Sequence, residues 1–153
     1  MQQYQKGITM KRSIKKNRHS RYNLMYHLVV ITKYRHKCIS KEMLDALENI
    51  FERLLNNQDC NLIEFNGEAD HIHVLFESPP QVKLSKLINT LKTVSSRLIR
   101  KRFKPHIEKF YWKSAFWSRS YLIISTGGAS IEIVKEYIQN QDQKKLNSSP
   151  PKS

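Results

Sequence analysis

Three things are scarce in this 153-residue chain: cysteine, acid and long apolar runs. Cys38 and Cys60 are its two cysteines, too few for a disulfide framework, and neither belongs to a CxxC pair. Both read as small apolar fillers in a reducing compartment. No segment is long and apolar enough to cross a bilayer, no lipidation signal appears, and the first residues lack the apolar core of a secretory signal. The sequence therefore predicts a protein of the reducing cytosol with no membrane partner. Acid is outnumbered: Asp+Glu total 13 against 27 Lys+Arg, a formal net charge of +14. So large an excess in one domain favours a polyanion, most simply nucleic acid, because basic side chains release counterions from phosphates.

The basic residues are unevenly spread. Residues 1–21 carry Lys6, Lys11, Arg12, Lys15, Lys16, Arg18 and Arg21 with no acid, and read as a flexible basic arm. From Lys83 to Arg119 there are eleven basic residues and one acid, Glu108. A helix this one-sided in sign lacks the acid–base pairs, one turn apart, that exposed helices usually show, so a phosphate backbone explains it better than solvent alone.

The most informative stretch is Asp70 to Glu77, closed by Ser78-Pro79-Pro80. Its apolar and polar residues alternate as in a half-buried strand, so Ile72, Val74 and Phe76 point to a core while His71 and His73 share the other face. Two imidazoles side by side on an open sheet face can hold one divalent metal ion. A pair of exposed histidines with no ligand is the blander reading of the same spacing.

Around this strand the other elements fall in order. Tyr22 to Arg35 is rich in β-branched and aromatic residues and predicts a first strand. Ser40 caps a helix that runs to about Asn56, with Met43, Leu44, Leu47, Ile50, Phe51, Leu54 and Leu55 at helical spacing. Cys60 to Asn66 predicts a strand, and Gly67-Glu68 a tight turn into the histidine strand. Lys83 to about Phe103 predicts a second helix, Leu122 to Ser125 a strand, and Ala129 to about Lys145 a last helix after the Gly127-Gly128 break. On that helix Tyr137 and Gln141, four residues apart, project from one side. Strand, helix, strand, strand, helix, strand is the α+β ferredoxin-like (RRM-like) pattern: an antiparallel sheet with helices on one face. The predicted division is an arm at 1–21, one domain at 22–145 and a polar tail at 146–153.

Taken in order, several short motifs make the chain resemble the single-tyrosine HUH transposases, the transposase A type of small insertion sequences. They are His27-Leu28-Val29, Thr32-Lys33-Tyr34-Arg35, Asp70-His71-Ile72-His73, Phe116 to Tyr121, Gly127-Gly128-Ala129 and Val134 to Gln141. The resemblance implies that Tyr137 is the nucleophile and that His71, His73 and Gln141 ligate Mg2+ or Mn2+. It further implies cleavage and rejoining of single-stranded DNA through a 5′-phosphotyrosine, without ATP. Hairpins in single-stranded DNA at element ends would be the substrate. A homodimer is implied too, in which the tyrosine helix, hinged at Gly127-Gly128, can act in trans.

Candidates for DNA contact are Lys33, Tyr34, Arg35 and Lys37, then Lys86, Lys92, Arg97, Arg100, Lys101 and Arg119. Tyr34, Trp112 and Trp117 offer stacking planes, although core or dimer packing is the stronger expectation for Trp117. Two alternatives stand beside this reading. One is a non-catalytic module binding single-stranded DNA or RNA, against which the lack of a Lys/Arg-Gly-Phe/Tyr ribonucleoprotein motif weighs. The other is a domesticated relative that processes repetitive hairpins.

Overall fold

The computed structural model describes residues 4–5, 24–126 and 134–141. The expected arm beyond Tyr4–Gln5, the Gly127-Gly128 hinge and the polar tail lie outside the described residues. Along the chain come β1 (Tyr4–Gln5), β2 (Leu24–Thr32), a single 3-10 turn (Lys33–Arg35) and α1 (Lys41–Asn57). They are followed by β3 (Asn61–Glu68), β4 (His71–Ser78), α2 (Leu84–Arg102), the one-turn α3 (Lys104–Ile107) and β5 (Trp117–Ser125). A last helix, α4, spans residues 134–141.

The strands form one antiparallel sheet in the order β1-β3-β4-β2-β5. Strands β2 to β5, with α1 and α2, have the ferredoxin-like order that the alternation of elements predicts. Two residues of the expected arm, Tyr4 and Gln5, add a further strand to the β3 edge opposite Gly67 and Asn66.

The main core lies on one face of the sheet. Leu28, Val30, Ile72, Val74 and Phe76 from β2 and β4 meet Leu44, Leu47, Phe51 and Leu55 of α1 and Leu87, Ile88, Leu91 and Ile99 of α2. The helical spacing of these residues gives each helix one apolar stripe, which only this sheet face can cover. Ser40 caps α1 as its side chain accepts from the Met43 N–H at 3.2 Å. Both cysteines are free and buried. Trp117 belongs to this core, and its indole N–H donates to the buried Ser95 hydroxyl at 2.9 Å.

The β3–β4 hairpin differs from its sequence reading. Gly67-Glu68 is not the turn: Gly67 pairs with Ile72 and Glu68 with His71, and Ala69-Asp70 makes the turn. Gly67 serves close packing instead. A Cβ there would stand 2.6 Å from Leu44 Cδ1 and 3.0 Å from the His71 carbonyl oxygen. A register shift between Leu62 and Glu64 has a second consequence. Leu62 and Phe65 both enter the core, so Glu64, Asn66 and Glu68 fall on the opposite face, that of the histidines.

The second face is covered in part by α4. Val29 and Ile31 of β2 and Leu122 and Ile124 of β5 pack against Val134, Tyr137 and Ile138.

Candidate active site

His71 and His73 lie on the α4 side of β4, opposite Ile31 and Val29 of β2 and Glu68 and Asn66 of β3. His71 is buried, and its Nδ1 is 2.9 Å from Asp70 Oδ1. An ionised carboxylate only accepts, so Nδ1 carries a proton and donates it, and Nε2 is the ring nitrogen directed away from Asp70. Glu68 Oε2 lies 3.6 Å from that Nε2.

Asp70 is also held from its other side. Arg35 Nε and Nη2 donate to Asp70 Oδ2 at 3.1 and 2.9 Å. Burial alone would raise the Asp70 pKa. Hydrogen bonds from His71 and Arg35, with the guanidinium charge, outweigh it and hold the carboxyl at about 2. His73 stacks on His27 of β2, with ring centroids 5.0 Å apart, and its Nε2 lies 2.8 Å from His27 Nδ1. Burial, then the neighbouring His27, lowers the His73 pKa to about 4 against the opposing pull of Glu64. His73 is therefore a neutral imidazole at neutral pH, the form that binds metals.

This donor set fits a divalent cation. His71 presents Nε2 with its Nδ1 held by a carboxylate behind it, the usual support for a metal-ligating histidine. His73 is neutral on the same face, and Glu68 places a carboxylate beside His71. Glu68, Asp70 and His71 form a group whose donor atoms all lie within 4.8 Å of one another. Asp70 is already engaged by Arg35 and His71, so it serves that group by orienting His71 rather than by ligation. A cation drawing on His73 Nε2 would replace His27 as its partner.

Tyr137 reaches the same side of the sheet from α4. It packs beside Val29 and Ile31. Its hydroxyl is buried and, among the described residues, has no hydrogen-bond partner. Burial raises the phenol pKa, while Ser120 and Arg35 nearby pull it down, Ser120 without meeting the hydroxyl at hydrogen-bond geometry. Gln141, one turn on, is half-buried. The structure thus brings His71, His73 and the tyrosine helix to one sheet face.

Comparison with known proteins identifies the family. The family described as "Transposase IS200 like" matches residues 20–141. The chain belongs to this family of IS200-like transposases. It is 28% identical over 131 residues to the ISDra2 transposase TnpA of Deinococcus radiodurans, covering 86% of this chain and 93% of that one. It is 32% identical over 123 residues to the transposase for insertion sequence element IS200 of Salmonella typhimurium, covering 80% of each. A crystal structure of a transposase chain from D. radiodurans R1 superposes with a TM-score of 0.74 at 30% identity, covering 84% of this chain and 98% of that one.

In this IS200-like transposase the basic residues named from sequence do not form one patch. Lys33, Tyr34 and Lys37 are exposed at the sheet end where Asp70 and His71 sit. Tyr34 is 52% exposed, with Lys33 Nζ over its ring. Their segment rests on Phe110 and Tyr111 through His36, and the Tyr111 hydroxyl donates to the Lys33 carbonyl at 2.6 Å. Trp112 follows directly and is 80% exposed.

Arg97 and Lys101 are exposed on the C-terminal half of α2, and Arg100 is half-buried, donating to Ser96. Lys92 is partly buried; it donates to the Arg119 carbonyl at 3.0 Å and lies over the Tyr121 ring. Arg119 is exposed on β5. Lys86 stands at the far end of α2, beside Asp59 and Pro79.

Arg35 departs from the sequence expectation of a phosphate contact. It is 4% exposed, with its guanidinium engaged by Asp70 and by the Ile138 carbonyl. Trp117, in the core, offers no stacking plane.

The sequence assigns no role in the site to His27, Asp70, Glu68 or Asn66. His27 and Asp70 stand inside quoted motifs, so the residues were visible, but strand register decides their partners and no local signal carries it.

Proposed function

We propose that this transposase cleaves and rejoins single-stranded DNA through a covalent bond between Tyr137 and a 5′ phosphate, with hairpins in single-stranded DNA at element ends as its substrate. The observation that carries this reading is the seating of the Tyr137 helix on the sheet face that presents His71 and His73. His71, His73 and Gln141 would hold Mg2+ or Mn2+. When bound, the ion polarises the scissile phosphate and offsets the charge that develops on it.

The chain's own residues supply the rest. Asp70 fixes His71 as a donor through Nε2. Burial on α4 keeps Tyr137 in its phenol form until substrate arrives. Its oxygen then attacks the phosphorus in line. The Tyr137 O–P bond forms as the P–O3′ bond breaks, and the phenolic proton is balanced by the 3′-hydroxyl released. The phosphotyrosine keeps the energy of the broken diester, so a second 3′-hydroxyl can reverse the step at another end without ATP.

Lys33, Tyr34 and Lys37, at the site end, are suited to the strand entering it, and Arg97, Arg100, Lys101 and Arg119 to the flanking duplex of a hairpin. The active species is proposed to be a homodimer acting on nucleoid DNA in the cytosol. The two ligand assignments on β4 are tested by incubating end-labelled hairpin DNA with Mn2+ and the variants His71→Ala and His73→Ala. Loss of cleavage in both with hairpin binding retained is expected. Undiminished cleavage in both would remove the metal site from the account.

A further inference from the structure

Arg35 makes a contact that spans the molecule. Nε and Nη2 grip Asp70 Oδ2, while Nη1 donates to the Ile138 carbonyl of α4 at 2.6 Å, across 103 residues of sequence. Asp70 in turn orients His71 through its other oxygen. One planar guanidinium therefore touches the residue next to Tyr137 and the carboxylate behind His71. Its fork of donors suits this double duty, which a lysine's single ammonium cannot reproduce in the same geometry.

The backbone is bent to allow it. Tyr34 and Arg35 both take the left-handed conformation, φ 59° and 52°, which side chains with a Cβ rarely adopt. Two such residues in succession leave Tyr34 exposed and aim Arg35 inward. Strain of this kind persists where surrounding contacts over-determine it, and it collects at functional sites.

We propose that Arg35 is a positioning residue whose guanidinium couples the seating of the Tyr137 helix to the orientation of His71. This rests on the roles given to Tyr137 and His71 above. Seating α4 satisfies Nη1, which steadies the fork on Asp70 and so the His71 ring. Withdrawing α4 removes the Ile138 carbonyl from Nη1 and loosens the fork on Asp70.

The test uses the full chain and the variants Arg35→Lys and Arg35→Gln, with amide hydrogen exchange as the first readout. Helix α1 serves as the internal gauge of global folding. In Arg35→Lys, α1 keeps its protection while residues 134–141 exchange roughly tenfold or more faster, the loss expected for one charge-assisted hydrogen bond. The downfield imidazole N–H signal of His71 shifts or broadens in the same variant, a change that mere loosening of α4 would not produce. Cleavage at saturating DNA slows, while the DNA concentration for half-maximal rate stays the same.

Unchanged exchange at 134–141 in both variants would overturn the proposal, as would an unaltered His71 signal. Loss of α1 protection in both variants would also overturn it, since Arg35 would then be holding the fold in general. Tyr137→Phe separates this result from the underlying mechanism: if that variant still cleaves, the nucleophile is wrong, whereas the exchange and imidazole readouts still report on the coupling.

Discussion

Burial sets the titration of several side chains in this transposase, His73 and Cys38 among them. Cys38 illustrates the effect away from the active site: burial pushes its thiol from 9.0 up to about 11, and a hydrogen bond with Tyr111 only partly opposes it. Two consequences follow for the folded chain. At pH 8.5 the native protein should resist iodoacetamide, while the denatured chain reacts readily, because the thiolate is the nucleophile. The sign of the stability effect is also fixed. The folded-state pKa lies above the unfolded one, so the contribution of Cys38 is fully present below pH 9 and is lost as pH rises towards 11. Mass-spectrometric counting of labelled cysteines against pH checks both, and rapid labelling of the native chain at pH 8.5 would contradict them.

At the scale of elements, most of the order was legible in the sequence. The alternation from His71 to Phe76 and the apolar spacing from Met43 to Leu55 each repeat with the period of the structure that forms, since each needs one face covered. Ser40 was legible because a cap is a local hydrogen bond. Gly67 was misread as a turn residue for a reason equally physical. What demands glycine there is Leu44 of α1, 23 positions away, and no window of sequence reports such an approach. The same limit hid the burial of Arg35, whose partners stand at 70 and 138.

Gly67→Ala is therefore expected to destabilise the fold by about 1–3 kcal/mol, as overpacking of a close-packed core does. Its Leu44 neighbour is 1% exposed and has little room to move. Thermal or denaturant unfolding measures the effect. Unchanged stability would show that α1 shifts freely, and the close packing of β3 against α1 would lose its significance.

On the scale of the whole molecule, the +14 charge and the distribution of aromatics describe a surface for a polyanion. The basic residues near the active site, Lys33 and Lys37, sit at the same sheet end as His71 and the exposed Tyr34 and Trp112. Lys86, at the other end, is expected to matter least among the basic residues named. Binding of a DNA hairpin should weaken steeply with salt. An interface neutralising about six phosphates loses roughly three orders of magnitude in affinity between about 50 and 200 mM salt. Fluorescence anisotropy over that range checks this, and a flat response would mean that the charge serves something other than phosphate contact.

What the sequence carried at this scale was the family's ordered motifs, because chemistry confines residue types to fixed spacings. What it did not carry was which basic residues face the site, since that depends on the ends of strands and helices meeting in space. Lys33 and Lys86 look alike in sequence and stand at opposite ends of the fold.

The claim on which the rest depends is that Tyr137 becomes joined to DNA. It is tested by covalent capture: labelled single-stranded hairpin DNA is mixed with the protein and Mg2+ or Mn2+, denatured in detergent and separated on a gel beside Tyr137→Phe. The account predicts a slow-migrating labelled band that requires the metal and is absent from Tyr137→Phe, while that variant still shifts the hairpin on a native gel. An equally strong covalent band in Tyr137→Phe, or native-gel binding with no covalent band across a broad pool of hairpins, would contradict it.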